Sequence, residues 1–361
     1  MPRLMARLRH DADRGAITAL VAILFGGGVL LGTGALVVDV GRLYSERAQL
    51  QNAADAAALA VAQACAKGAT GCGTSTAVTY ANNNSNDNAS SVDVVCGSDT
   101  RHLLLTCPAG GAPGCTTARP SSGNFVEVRT STRQPNGKTL LPPSFAQAIV
   151  GAARSGLRVA ACSRVGWGGP AAAYGFGMTL SMCEWQSATA GGTSFAPSSS
   201  VPASYERVLK LHTTSGTTCP LGPSGWILPG GFGWLAAANG KCETKVDANG
   251  DYLGDTGVSG STACKDELTK ARNDKRVLLV PVYDGAGGAG HEGRFHLKGF
   301  ASFVVTGYYL PGLKVESWLT TKNLCKGDDK CVYGYFTAAL LPADAVLGGP
   351  EMGATAVRVV G

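Results

Sequence analysis

From Ala16 to Val38 the chain runs 23 residues without a charge, AITALVAILFGGGVLLGTGALVV. As an α-helix that stretch covers about 34 Å at 1.5 Å per residue, against a bilayer core of about 30 Å. A transmembrane helix is expected over residues 15–38, and everything after it is expected to be held at, or moved across, a membrane. Thr33-Gly34-Ala35 has the small residues of a signal-peptidase site. The apolar run is nevertheless longer than the usual 7–15-residue core of a signal peptide, and the helical pattern runs through the site, so an uncleaved anchor is expected. Arg3, Arg7, Arg9 and Arg14 precede the span, whereas Asp39, Arg42, Glu46 and Arg47 after it sum to no net charge. The positive-inside rule then makes residues 1–14 a cytoplasmic tail and leaves the bulk outside, with a single pass through the bilayer.

The cysteines agree with that orientation. All twelve follow the apolar run: Cys65, Cys72, Cys96, Cys107, Cys115, Cys162, Cys183, Cys219, Cys242, Cys264, Cys325 and Cys331. No C-x-x-C occurs, which removes zinc-ribbon and thioredoxin-type readings. An even set on one side of a membrane segment points to disulfides in an oxidising compartment. Cys65 with Cys72 and Cys325 with Cys331 are natural short-range pairs, and the remaining connectivity stays open. The 45% apolar content supplies a core, while 50 glycines and 16% charged residues indicate a loop-rich, partly β body. The net charge of +6 is modest and its Lys and Arg are scattered, so nucleic acid is not an expected partner.

Past Val38 the pattern becomes an alanine-rich amphipathic helix over residues 39–66, without proline. Leu36, Val40, Leu43, Leu50, Ala54, Ala57, Val61 and Ala64 share one face; Asp39, Arg42, Ser45, Glu46, Gln49 and Asn52 populate the other. The apolar face either covers the protein's own body or meets a partner helix. Gly28-x-x-x-Gly32 fits helix-dimer spacing, a weak match in so glycine-rich a run.

Those residues carry a resemblance. An Arg-Gly before the span, then Val37-Val38-Asp39-Val40-Gly41-Arg42-Leu43-Tyr44, then Glu46-Arg47-Ala48-Gln49-Leu50-Gln51-Asn52-Ala53-Ala54-Asp55-Ala56-Ala57-Ala58-Leu59-Ala60, resembles the N-terminal region of TadE/TadG-like proteins of the Tad (tight adherence, Flp) pilus system. The resemblance implies a bitopic protein of the bacterial cell envelope, a lipid bilayer and other Tad assembly proteins or pilin helices as partners, and no enzymatic activity. Asp39, Gly41, Arg42, Tyr44, Gln49, Leu50, Gln51, Asn52, Ala54 and Asp55 are then the candidate interaction residues. Pilin-like members of the system carry a glycine followed five residues later by glutamate. Here Leu20 stands five after Gly15, which favours the unprocessed, TadG-like kind.

The overall expectation is an α+β protein: an anchor, a juxtamembrane helix, an α+β unit over 67–165 and a β-rich region over 175–361. Ser75–Tyr80 and Pro143–Val150 read as helices. Val92–Cys96, Leu103–Cys107, Phe125–Thr132, Leu157–Ala161, Val277–Tyr283, Phe295–Val305, Lys314–Leu319 and Val332–Leu340 read as strands. Trp234 in Gly230-Gly-Phe-Gly-Trp-Leu235 is expected to pack against close backbone.

Catalytic constellations fail. Gly192-Thr193-Ser194-Phe195-Ala196-Pro197 invites comparison with a subtilisin-like nucleophile segment, yet the upstream histidines, His10 and His102, lack a triad setting. Asp247, Asn249, Asp251 and Asp255 open like a calcium loop, but Tyr252 and Val258 stand where an EF-hand needs glycine and glutamate. They are a weak calcium candidate against an ordinary turn. His212, His291 and His296 are isolated, and Gly285–Gly293 lacks the phosphate-loop pattern. No cofactor is expected. The functional expectation is a non-enzymatic, anchored component of Tad pilus assembly, the alternative being an anchored adhesin or ligand-binding protein independent of a pilus.

Overall fold

The computed structural model describes residues 15–361 except 69, 110–114, 116, 122, 146–155, 212–230, 237–240, 256–260, 288–292, 326, 328 and 342–343. The apolar stretch is not one helix. Helix α1 (residues 15–26) ends in a turn at Gly27–Gly28, and α2 runs from Val29 to Ala66. Three consecutive glycines are weak helix formers, and Gly28 takes the left-handed conformation at φ 72°, which other residues enter at a cost. The expected continuous span over 15–38 is therefore corrected to two helices in series. Among the described residues no helix is long and apolar enough to cross a membrane. At Asp39, in contrast, α2 passes from apolar to amphipathic sequence without a break. The apolar side chains ahead of that point face outward: Ile17, Ile23 and Val37 are 65, 71 and 70% exposed.

After α2 come α3 (Thr74–Asn83), β1 (Ser90–Ser98), β2 (Asn124–Thr132), β3 (Ala160–Phe176), β4 (Met178–Ser181), α4 (Met182–Thr189), β5 (Arg207–Lys210), β6 (Phe232–Leu235), β7 (Glu243–Asp247), β8 (Asp251–Asp255), α5 (Thr262–Asn273), β9 (Val277–Gly287), β10 (Arg294–Leu310), β11 (Leu313–Val315), β12 (Cys331–Thr337), β13 (Ala339–Leu341), β14 (Val346–Gly349) and β15 (Ala354–Val359). The fold is α+β, with a β-rich C-terminal part. The first sheet has the order β1-β2-β3-β15-β13, with β14 and β7 also on β3. Its core is the seam where α2 lies on the strands: Ala53, Ala57, Ala58, Val61 and Ala62 against Val126, Val128, Val165 and Trp167, with Ala77 and Ala81 of α3. Alanine lets the helix approach the sheet closely, and each position is fully buried. From Leu50 onward this apolar face takes the protein's own body, whereas Leu36 and Val40 of the same series stay exposed.

The long strand β3 couples both halves of the chain. Its first residues pair β2 and β15, and its last pair β14 and β7. The crossing near Gly169 is tight enough to demand glycine, since a Cβ there would lie 2.1 Å from the Pro350 carbonyl oxygen. The second sheet closes on itself: β9 pairs β10, β10 pairs β8, β8 pairs β6, β6 pairs β4, and β4 returns to β9 in parallel. Its interior holds Met178, Leu180, Phe232, Trp234, Val280 and Phe303. Trp234 is 1% exposed and meets Phe232 edge-on at 6.1 Å.

Several expected elements change. Leu103–Cys107 is not a strand: the Asp99 carboxylate accepts the backbone N–H of Arg101, Leu103 and Leu104 and curls the segment. Leu157 makes only an isolated bridge to Leu141, and β3 begins at Ala160. Lys314–Leu319 shortens to β11 because Ser317 Oγ accepts the N–H of Leu319 and Thr320 in a turn. Residues 332–340 divide into β12 and β13. The expected helix at 143–150 lies largely outside the described residues.

Candidate functional site

The motif residues on α2 act mainly as fasteners within the molecule. At the apolar border, Asp39 Oδ1 accepts the Ser144 N–H at 2.7 Å and Asp39 Oδ2 accepts the Phe145 N–H at 3.2 Å. One turn later Arg42 Nη1 donates to the Pro142 carbonyl at 3.5 Å. Gln49 Oε1 accepts the Asn86 N–H at 3.3 Å, steadying the loop after α3. Leu50 is buried, and its carbonyl accepts from Thr130 Oγ1 at 2.9 Å on β2. Gln51 Nε2 donates both to the Cys162 carbonyl on β3 (3.0 Å) and to Asp55 Oδ1 (2.9 Å). Ala54 is buried against the sheet. Gly41, Tyr44 and Asn52 remain on the outer surface, Tyr44 at 72% exposure. Glu46, close to Thr132, has its carboxyl pushed up by burial.

These contacts carry a measurable weight. Truncating Gln51 to alanine should lower the unfolding free energy by about 1–2 kcal/mol, since two hydrogen bonds are lost. Tyr44→Ala should stay within about 0.5 kcal/mol, as an exposed residue does. Urea denaturation of the two variants side by side checks both.

The opposite face of the first sheet carries a second constellation, which hydropathy does not announce. Glu127 on β2 is fully buried. Its carboxylate meets Arg164 Nε at 2.7 Å, Arg129 Nε at 2.7 Å and Arg119 Nε at 2.9 Å. Burial by itself would raise this carboxyl, but the three guanidiniums outweigh it and hold it down to about 2. Disulfides Cys96–Cys107 and Cys115–Cys162 flank the cluster and tie the covering loop to β1 and β3. Arg164 Nη1 further donates to the Thr117 carbonyl at 2.6 Å, and Arg119 Nη1 to the Pro108 carbonyl at 2.8 Å. Each cation already faces the anion or a loop carbonyl, so the arrangement is suited to holding the loop down. The one sequence cue is Glu127 and Arg129 two apart on a strand, hence on one face.

The remaining disulfides include both short-range pairs expected from spacing, Cys65–Cys72 and Cys325–Cys331, together with Cys242–Cys264. Cys183 is disulfide-bonded as well, and Cys219 lies outside the described residues. Of the calcium candidate, Asp247, Asn249 and Asp251 lie at one turn, and the Asp255 side chain lies outside the described residues. Residues 247–251 form the turn that carries the chain from β7 on the first sheet to β8 on the second, in which the Tyr252 hydroxyl donates to Asp247 Oδ2 (3.2 Å) and His296 Nδ1 lies 2.8 Å from Asp251 Oδ1. Asn249 takes the left-handed turn position at φ 63°. Among the described residues no three His, Cys, Asp or Glu ligand atoms cluster there. The segment around Ser194 is built into the fold: Ala196 N–H donates to the Phe336 carbonyl at 2.9 Å. A cleft of about 520 Å³ opens between β9 and β13, walled by Tyr174, Leu279 and Leu341 with Glu243, Arg276 and Asp344; its described lining contains no Ser, Cys or His nucleophile or base.

The features with a common logic thus belong to a protein whose cross-linked head is built around the second half of α2, while α1 and the turns of α2 before Asp39 are apolar and mostly exposed. Residues 15–64 match the family model described as "Putative Flp pilus-assembly TadE/G-like". Over those residues the chain is similar to TadE/G-like Flp pilus-assembly proteins. No curated protein matches the chain, and no solved structure does.

Proposed function

We propose that this chain is a TadG-like, membrane-anchored, non-enzymatic component of Tad/Flp pilus assembly or anchoring, its head exported from the bacterial cytoplasm. The observation that carries the reading is the position of the family match: residues 15–64 cover both the bare apolar helices and the helix on which the head is assembled. In this reading α1 and the first turns of α2 cross the bilayer in series, with the Gly27–Gly28 turn as a bend inside the span. Small residues and neighbouring chains accommodate such bends in membranes. Twelve cysteines confined to the part beyond the span support an oxidising compartment for the head. The outer motif face around Tyr44 and Asn52 is left for other Tad proteins or pilin helices.

Exchanging all of residues 39–66 would strip Leu50, Ala57 and Val61 from the core, so point changes on the outer face are the informative test. Membranes from cells carrying the Tad system are expected to retain the full chain through carbonate washing, and affinity purification of it should recover Tad secretion components. Tyr44→Ser with Leu59→Ser should cut that recovery at least fivefold without moving the thermal unfolding midpoint. Release by carbonate would sink the anchor, and unchanged recovery would sink the helix face. A second reading, an anchored adhesin working without a pilus, draws support from the closed β body, which lies wholly beyond the matched residues. It predicts full membrane retention with no Tad component recovered.

A further inference from the structure

The contacts made by Asp39 and Arg42 set a piece of the head at a particular height. Both residues lie where the outward-facing apolar series of α2 ends: Val38 and Val40 are still 45 and 40% exposed, and the first charge stands between them. Through Ser144, Phe145 and Pro142 they bind a loop far away in sequence to that border. On the loop, Phe145 is 53% exposed although its own N–H is fixed. Leu157, bridged to Leu141 through backbone hydrogen bonds of 2.9 and 3.0 Å, is 60% exposed. Phe145 and Leu157 thus form a small apolar fringe beside the border.

A soluble surface gains nothing from a phenylalanine and a leucine presented on anchored backbone. The bilayer interface does, because amphipathic rings and apolar side chains favour the headgroup level. The charge nearby has the complementary sign. Arg42 and Arg47 on α2 are balanced in charge by Asp39 and Glu46, but Arg133 and Lys138 on the turn that leads into the loop are exposed, and among the described residues neither forms an ion pair. Cations so placed are attracted to the phosphates of anionic lipids.

We propose that this fringe is a second membrane contact: the head sits on the bilayer surface, with Phe145 and Leu157 in the headgroup region, instead of standing clear of it on a stalk. The inference rests on the proposed anchor and adds to it a fixed orientation of the head. The family-motif residues Asp39 and Arg42 act as positioning residues, holding the loop at the depth where the helix leaves the lipid.

The test uses the full chain in liposomes of phosphatidylethanolamine and phosphatidylglycerol, with a benzophenone-bearing phenylalanine analogue placed at one position at a time. Position 23 reports the anchor, position 145 the fringe, and position 105 a segment that lies by the C-terminal end of α2, where Arg101 meets Gly68. Leu105 is a fair control, being 79% exposed and apolar, with its carbonyl accepting from Gly97 N–H on β1. Illumination is expected to give lipid adducts at 23 and 145, with at least tenfold fewer at 105. Asp39→Asn should lower the yield at 145 severalfold and leave that at 23 unchanged. Adducts at 23 without adducts at 145 overturn the fringe while leaving the anchor intact; equal yields at 145 and 105 overturn it too. Absence of adducts at 23 removes the anchor itself.

Discussion

Replacing Glu127 by glutamine should lower the unfolding free energy by about 3–5 kcal/mol, because three guanidiniums are left around a neutral amide. The same cluster sets an acid limb. The carboxyl is held down to about 2 in the folded protein against an ordinary value near 4.5. Its stabilisation is therefore complete above the ordinary value and is lost as pH falls toward the folded one. The difference corresponds to about 3 kcal/mol. Guanidinium unfolding between neutral pH and pH 2 checks both statements. The natural chain should lose stability steeply over the lower part of that range, and Glu127→Gln, already weakened, should show a flatter acid limb. Equal slopes for the two proteins would mean that the carboxylate is not bound as described.

Loss of the Cys115–Cys162 disulfide is the second large effect. The bond joins residues 47 apart, and a loop of that length gives a chain-entropy contribution of about 4 kcal/mol. Cys115→Ser with Cys162→Ser should cost about that much in the same unfolding assay. The two perturbations should not add. The loop that Cys115 fastens also brings Arg119 and the Thr117 carbonyl to the cluster, so freeing it weakens what Glu127 holds. Combining the serine pair with Glu127→Gln should cost at least about 0.5 kcal/mol less than the sum. Strict additivity would show that bond and cluster act independently.

Much of the helix was legible from its period. Leu50, Ala54, Ala57 and Val61 were expected on one face and are buried on the sheet. The same reading put Gln49 outside, because periodicity separates polar from apolar positions and not polar residues bound by water from those bound by a neighbouring loop. The break at Gly27–Gly28 escaped for a related reason, since a hydropathy window registers three glycines as uncharged and is blind to a positive φ. Phe125-Val-Glu-Val-Arg reads as a strand with a wet face. Nothing in it indicates that Arg119 and Arg164, from distant positions, converge on Glu127 and dry it. Short strands such as β5 and β6, four residues each, carry too few alternations to stand out, and their pairing is imposed by β12 for the first and by β4 and β8 for the second.

The return of β15 to β3 has a consequence in time. Residues 356–359 pair with residues 165–168 in the sheet that α2 covers, and Val357 belongs to the core under that helix. That layer cannot be completed while these residues are still being synthesised, and α2 meanwhile has only part of its sheet to lie on. Meanwhile Cys65 and Cys72 are early and close enough to join at once, whereas Cys115 and Cys162 need the covering loop in place. Maturation of the head is thus expected to be late and concerted, with the disulfides formed last being the ones that cross the unfinished sheet.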